Sequence, residues 1–246
     1  MAPPRSVAFN GPVSSLRFAE GARGGRLLLA GVGRALHVHD TADGSLVCAK
    51  AVLREAWLHA IDACAAPRDD GHLVLVSGGR ELALMHVRRD APVRALWHAR
   101  CPAWILEATL DAPPADADGG TARGASALVR VGFINNRLEL WSVALGGTID
   151  AVVPAADGSG APCAALVASC ALEGGARAAA FCIASQPLGA AVGAGGARDD
   201  GLCGWHERVI ASGSVMGSLV FWAPPARPAD APCLLYTSDA ADEEDS

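Results

Sequence analysis

The pair best spaced for chemistry in this 246-residue chain is His37-Val-His39. On an extended strand both imidazoles share one face, which is how a metal site can begin. No third ligand is placed by spacing, so the pair is read as polar residues at a strand edge. Asp40, which follows, is read as a turn-capping carboxylate. Gly31-Val-Gly33 lacks the third glycine of a dinucleotide fingerprint, and Gly193-Ala-Gly195 opens no helix pattern. Gly213-Ser-Val-Met-Gly217 has the wrong spacing for a serine-nucleophile elbow. The acids and His on the strands expected to lie innermost are His59, Asp62 and Glu107, too few for a convergent catalytic site. No catalytic residue, cofactor or metal is expected, and the chain is read as not an enzyme. Trp57, Trp97, Trp104, Trp141, Trp205 and Trp222 could stack on bases, but most are read as packing residues. Trp205 alone is read as a candidate exposed anchor.

The elements that would carry these residues repeat. Leu29-Ala-Gly-Val-Gly-Arg-Ala-Leu-His-Val-His-Asp40, Val76-Ser-Gly-Gly-Arg-Glu-Leu-Ala-Leu-Met-His-Val87, Arg130-Val-Gly-Phe-Ile-Asn-Asn-Arg-Leu-Glu-Leu-Trp141 and Arg208-Val-Ile-Ala-Ser-Gly-Ser-Val-Met-Gly-Ser-Leu-Val-Phe-Trp222 share one pattern. Each has an apolar run ending in glycine, a short turn, and a second run alternating toward an aromatic or polar residue, which is the signature of a β-hairpin. Gly31, Gly78, Gly132 and Gly213 align, followed by Leu36, Leu84, Leu138 and Leu219, which are expected in the core. Asp40 sits one residue past the slot of Trp141 and Trp222. Spacings of 47, 54 and 81 residues between the glycines approach the roughly 40–45 of a WD-repeat blade once loop-like inserts are set aside. The fold class is all-β, a WD40-type β-propeller spanning 11–224, with about four blades and an incomplete ring. The blades are expected at 12–53, 59–98, 104–153 and 164–223, with Val13, Leu16 and Phe18 on an inner strand and a flexible insert at 173–207.

Residues 233–246, Cys-Leu-Leu-Tyr-Thr-Ser-Asp-Ala-Ala-Asp-Glu-Glu-Asp-Ser, resemble the translation of a sequencing-library adapter and are set aside as non-native. They contain five acids and no base, so without them the formal charge goes from −6 to −1. That near-neutral body argues against unaided nucleic-acid binding. With the strand at 219–222 then left unpaired, aggregation of the isolated chain is expected. Seven cysteines remain, with no C-x-x-C, so reduced thiols are expected and not a zinc module. No long apolar run marks a membrane span, and the start lacks a secretory leader's apolar core, so a cytoplasmic location is expected.

Gly11-Pro-Val-Ser-Ser-Leu-Arg-Phe18, Arg26-Leu-Leu-Leu-Ala-Gly31, Trp104-Ile-Leu-Glu-Ala108, Val131 to Trp141 and Ala211 to Trp222 resemble the N-terminal propeller of the WD-repeat protein six family. The resemblance implies a non-catalytic scaffold partnering a tRNA 2′-O-methyltransferase that modifies the wobble nucleotide, with tRNA reached through that complex. No family residue carries over to an individual site here. A generic WD-repeat adaptor, in a ubiquitin ligase or a trafficking complex, is the alternative.

Overall fold

The structure is a computed structural model that describes residues 12–20, 26–66, 70–111, 126–145, 164–171, 180–187, 208–214, 219–223 and 233–238. They form sixteen strands in four sheets, each a four-stranded antiparallel meander in chain order. The first blade holds β1 (Val13–Glu20), β2 (Arg26–Val32), β3 (Ala35–Asp40) and β4 (Leu46–Ala51). The second holds β5 (Ala60–Ala65), β6 (His72–Gly78), β7 (Glu81–Val87) and β8 (Arg94–Arg100). The third holds β9 (Ile105–Asp111), β10 (Ser126–Phe133), β11 (Arg137–Ala144) and β12 (Ala164–Ala171). The fourth holds β13 (Ala180–Pro187), β14 (Arg208–Ser214), β15 (Leu219–Ala223) and β16 (Cys233–Ser238). The chain divides into two compact units, one holding blades 1 and 2 and the other blades 3 and 4.

Period-2 patterning explains the packing of the first unit. In blade 1, Leu27 and Leu29 on β2 and Leu36 and Val38 on β3 share a face and are buried. They form one core with Leu58, Ile61, Val74, Val76, Ala83 and Met85. The opposite face of blade 1 carries Leu16 and Phe18, 62% and 63% exposed. Their register partners are Ala30 and Leu28. The inner-strand side chains at 13, 16 and 18 are therefore not core, because blade 2 covers the other face, where Ala19 is buried.

Turn length sets the hairpin register, and it corrects the repeat in blade 2. Gly31 pairs with Leu36, Gly132 with Leu138 and Gly213 with Leu219, but Ser77 pairs with Leu82 and Gly78 with Glu81. Ser77 thus takes the glycine's place and Leu82 that of the leucine, while Leu84 lies two residues further on. The turns Gly33-Arg34 and Gly79-Arg80 each begin with glycine at positive φ (59° and 55°), and Asn136 supplies φ 58° in the third hairpin. Gly78 is needed for another reason: a Cβ there would run into the Trp57 carbonyl and stand 2.7 Å from Leu53 Cδ1.

Blade boundaries also differ from expectation. The strand closing blade 3 is Ala164–Ala171, paired along β11, not Thr148–Val153, which lies outside the described residues. Blade 4 therefore opens at β13, inside the segment expected to be an insert; the remainder of 173–207 lies outside the described residues. Cys233–Ser238, set aside as non-native, pairs with β15, so the strand at 219–222 is paired on both sides. Its Cys-Leu-Leu-Tyr-Thr run has the β-branched, aromatic and apolar content that a strand position accepts. No helix among the described residues is long and apolar enough to cross a membrane.

Candidate interaction surface

Acids among the described residues hold backbone N–H groups, arginines and an indole. At the start of β7, Glu81 is buried, and its Oε2 accepts the backbone N–H groups of Arg54, Glu55 and Ala56 at 2.9, 3.2 and 3.3 Å. Burial would raise this carboxyl, but the three donors and His98 outweigh it and hold it below the usual carboxylate value. Glu81 thereby pins the connection from β4 to β5. Asp40 Oδ1 accepts the Ala42 N–H at 2.9 Å, its carbonyl accepts the Gly44 N–H at 2.8 Å, and its carboxylate pairs with Arg89. In the second unit, the buried Arg130 grips Asp111 with two nitrogens and donates to Thr109 Oγ1 at 3.0 Å. Buried Glu139 takes the Trp141 Nε1–H at 3.0 Å and pairs with Arg137 at 3.2 Å.

His37 and His39 do share a face, with ring centroids 6.4 Å apart. Burial, then the neighbouring His39, lowers the pKa of His37. Among the described residues no group of three or more His, Cys, Asp or Glu could hold a metal. His59 and Asp62 are not brought together for chemistry: His59 Nδ1 accepts the Gly79 N–H at 3.4 Å, and Asp62 pairs with Arg17 at 3.1 Å. Glu107 belongs to the other unit. Leu36, Leu84 and Leu138 are buried, and Gly31 leaves room for Leu58, whose Cδ2 would stand 2.5 Å from a Cβ there. Gly213, Leu219 and Trp222 are placed by backbone register alone, and Trp205 lies outside the described residues. Cys48, Cys64 and Cys101 carry reduced thiols, and burial pushes the Cys48 thiol up.

Two of the tryptophans depart from the packing assignment, while Trp141 is half-buried with its Nε1–H on Glu139. Trp97 is buried, but Trp57 and Trp104 are 65% and 54% exposed. Both lie in the connection that enters a blade's first strand, Trp57 before β5 and Trp104 before β9. The backbone holds them there: the Leu58 N–H donates to Gly33 O at 2.7 Å, and the Trp104 carbonyl accepts the Ile134 N–H at 3.0 Å. Ile134, also exposed, extends the apolar surface beside Trp104. A tryptophan one to three residues ahead of an inner strand is the sequence signal that could have found both.

Four sequential four-stranded meanders on one repeated hairpin are the blades of a WD40-type β-propeller, here an incomplete ring. One solved structure, with a TM-score above 0.5, agrees on the fold. BBS1N in complex with ARL6DN is similar at 12% identity and TM-score 0.51, over 98% of this chain and 57% of that one. The WD40 domain of SCAP from fission yeast aligns at 15% identity and TM-score 0.49, over 93% of this chain and 43% of that one. The dihydro-heme d1 dehydrogenase NirN aligns at 16% and 0.46, over 91% and 38%. The chain thus spans little more than half the length of the first of these. No protein-family model matches it, and no curated protein matches it in sequence.

Proposed function

We propose that this chain is a non-catalytic WD-repeat interaction scaffold. The observation that carries the reading is the pair of exposed tryptophans, Trp57 and Trp104, held by backbone hydrogen bonds at corresponding points of two blades. Tryptophan is the residue most enriched among interface hot spots, and a large exposed aromatic on a rigid connection has little conformational entropy to lose on docking. The acids, by contrast, are engaged with backbone N–H groups and arginines. A propeller neighbour held with a protein partner, BBS1N with ARL6DN, is in keeping with this reading. The test is affinity capture of the tagged full chain from its source cells: partners retained by the wild type should be lost from Trp57→Ala/Trp104→Ala at unchanged expression. Retention of every partner would remove the reading.

A narrower reading names the partner as a tRNA 2′-O-methyltransferase acting on the wobble nucleotide, in the cytoplasm. It rests on the resemblance of Gly11 to Phe18, Arg26 to Gly31, Trp104 to Ala108, Val131 to Trp141 and Ala211 to Trp222 to the WD-repeat protein six family. Wobble 2′-O-methylation of total tRNA, measured with and without the gene, decides it: an unchanged mark leaves the adaptor reading alone.

A further inference from the structure

The two ends of the first unit differ in charge. One end carries the turns Gly33-Arg34 and Gly79-Arg80, the β4–β5 connection and the close of β8, and it gathers Arg34, Arg54, Arg80 and Arg100, all exposed, about the connection that carries Trp57. Hydrogen bonds and a close approach tie them to one loop. Arg34 Nη1 donates to the Arg54 carbonyl at 2.6 Å, and Arg100 pairs with Glu55 at 2.9 Å. A Cβ on Gly79, next to Arg80, would stand 3.2 Å from Ala56 Cβ. Against these four cations stand, among the described residues, two carboxylates, the exposed Glu55 and the buried Glu81, whose Oε2 is spent on backbone N–H groups. The other end mixes signs in local pairs: Glu20 with Arg26 at 2.9 Å, Asp90 with Arg88 at 2.8 Å, and Asp40 with Arg89.

Resting on the scaffold reading above, we infer that this arginine- and tryptophan-lined end of blades 1 and 2 binds an acidic peptide segment of a partner protein, its carboxylates on the guanidinium groups and an apolar residue on Trp57. Guanidinium presents a planar fork that matches a carboxylate, and Arg and Trp lead the hot-spot residues. The cations form a compact cluster on the loop of one exposed aromatic, on a chain whose formal charge is −1 without residues 233–246. Four arginines on one loop make no extended basic stripe for a long polyanion to follow, whereas a short acidic segment meets the whole of the local field.

The test is fluorescence anisotropy with the full chain and three labelled probes: a twelve-residue Asp/Glu peptide containing one Leu, its Asn/Gln counterpart, and oligouridylate of equal charge. The acidic peptide should bind best and weaken with salt. Arg54→Glu should weaken it at least tenfold and Trp57→Ala several-fold, with Arg54→Lys recovering part of the loss and thermal melts unchanged. Equal binding of the neutral peptide, tighter binding of oligouridylate, no binding, or indifference to Arg54→Glu would each overturn the inference. Affinity capture separates the two levels. Partners kept by Arg54→Glu but lost from Trp57→Ala/Trp104→Ala refute this surface and leave the scaffold, whereas absence of any stoichiometric partner refutes both.

Discussion

Removing the Glu81 carboxylate should unlatch the connection between the first two blades. One buried oxygen accepts three backbone N–H groups at 2.9–3.3 Å. A hydrogen bond to a charged partner contributes about 1.5–3 kcal/mol. The three share an oxygen, and the exposed Arg54 and Glu55 can hand their N–H groups to water in a variant, so the sum is well below additive. Glu81→Ala should therefore cost ~3 kcal/mol and Glu81→Gln, which keeps a neutral acceptor, ~1.5 kcal/mol. At about 2–4 °C per kcal/mol for a chain of this size, the alanine variant should melt about 6–12 °C lower. The folded carboxyl titrates below its ordinary 4.5, so its stabilisation is complete above that value and is lost as pH falls through the folded pKa. The gap between wild type and Glu81→Gln, followed by circular dichroism, should be constant from pH 7 to about 5 and narrow below 4.5. An alanine variant as stable as wild type, or a gap that ignores acid, would refute the latch.

Other outcomes follow from the same geometry. Gly78→Ala should cost about 2–3 kcal/mol in chemical denaturation, because its Cβ meets the Trp57 backbone carbonyl, whereas Gly33→Ala, with nothing within 4 Å, should cost only the ~1 kcal/mol of a left-handed backbone. Equal losses would show that close approach is not the reason for Gly78. Arg130→Met should destabilise by ~2 kcal/mol, since it strands Asp111 and Thr109, and Arg130→Lys should not fully restore stability because it lacks the fork; a melt equal to wild type for either would argue against the pairing. Phe18→Ser should change stability by less than ~0.5 kcal/mol, given its exposure, and should reduce concentration-dependent light scattering; a cooperative loss of fold would mean that Phe18 is core.

The first two blades were readable because blade 1 keeps a period-2 face, the central strands of blade 2 are near-continuous apolar runs, and the turns of both begin with glycine. Leu27, Leu29, Leu36 and Val38 all fall on one face of a period-2 pattern. The register of the second hairpin was not, since aligning glycines cannot show that Gly78 closes the hairpin while Ser77 faces Leu82. Which segment closes blade 3 was equally hidden: Thr148–Val153 and Ala164–Ala171 both read as strands, alanine fits either face, and only pairing across a long connection with β11 decides. The role of Glu81 depends on a loop about 25 residues earlier folding over it, so in sequence it passes for a surface charge beside a turn. The candidate surface was misread for a related reason. Tryptophan is usually packed, and only the position of Trp57 and Trp104 ahead of a first strand, in the connection and not in the strand, sets them outside the core.

Oxidative footprinting of the tryptophans, alone and in the complex with a captured partner, tests the scaffold reading most directly. In the free protein Trp57 and Trp104 should oxidise rapidly and the buried Trp97 slowly. In the complex Trp57 and Trp104 should be protected several-fold while Trp97 is unchanged. Oxidation of both exposed tryptophans at the same rate in the complex as in the free chain would contradict their role as anchors for partners.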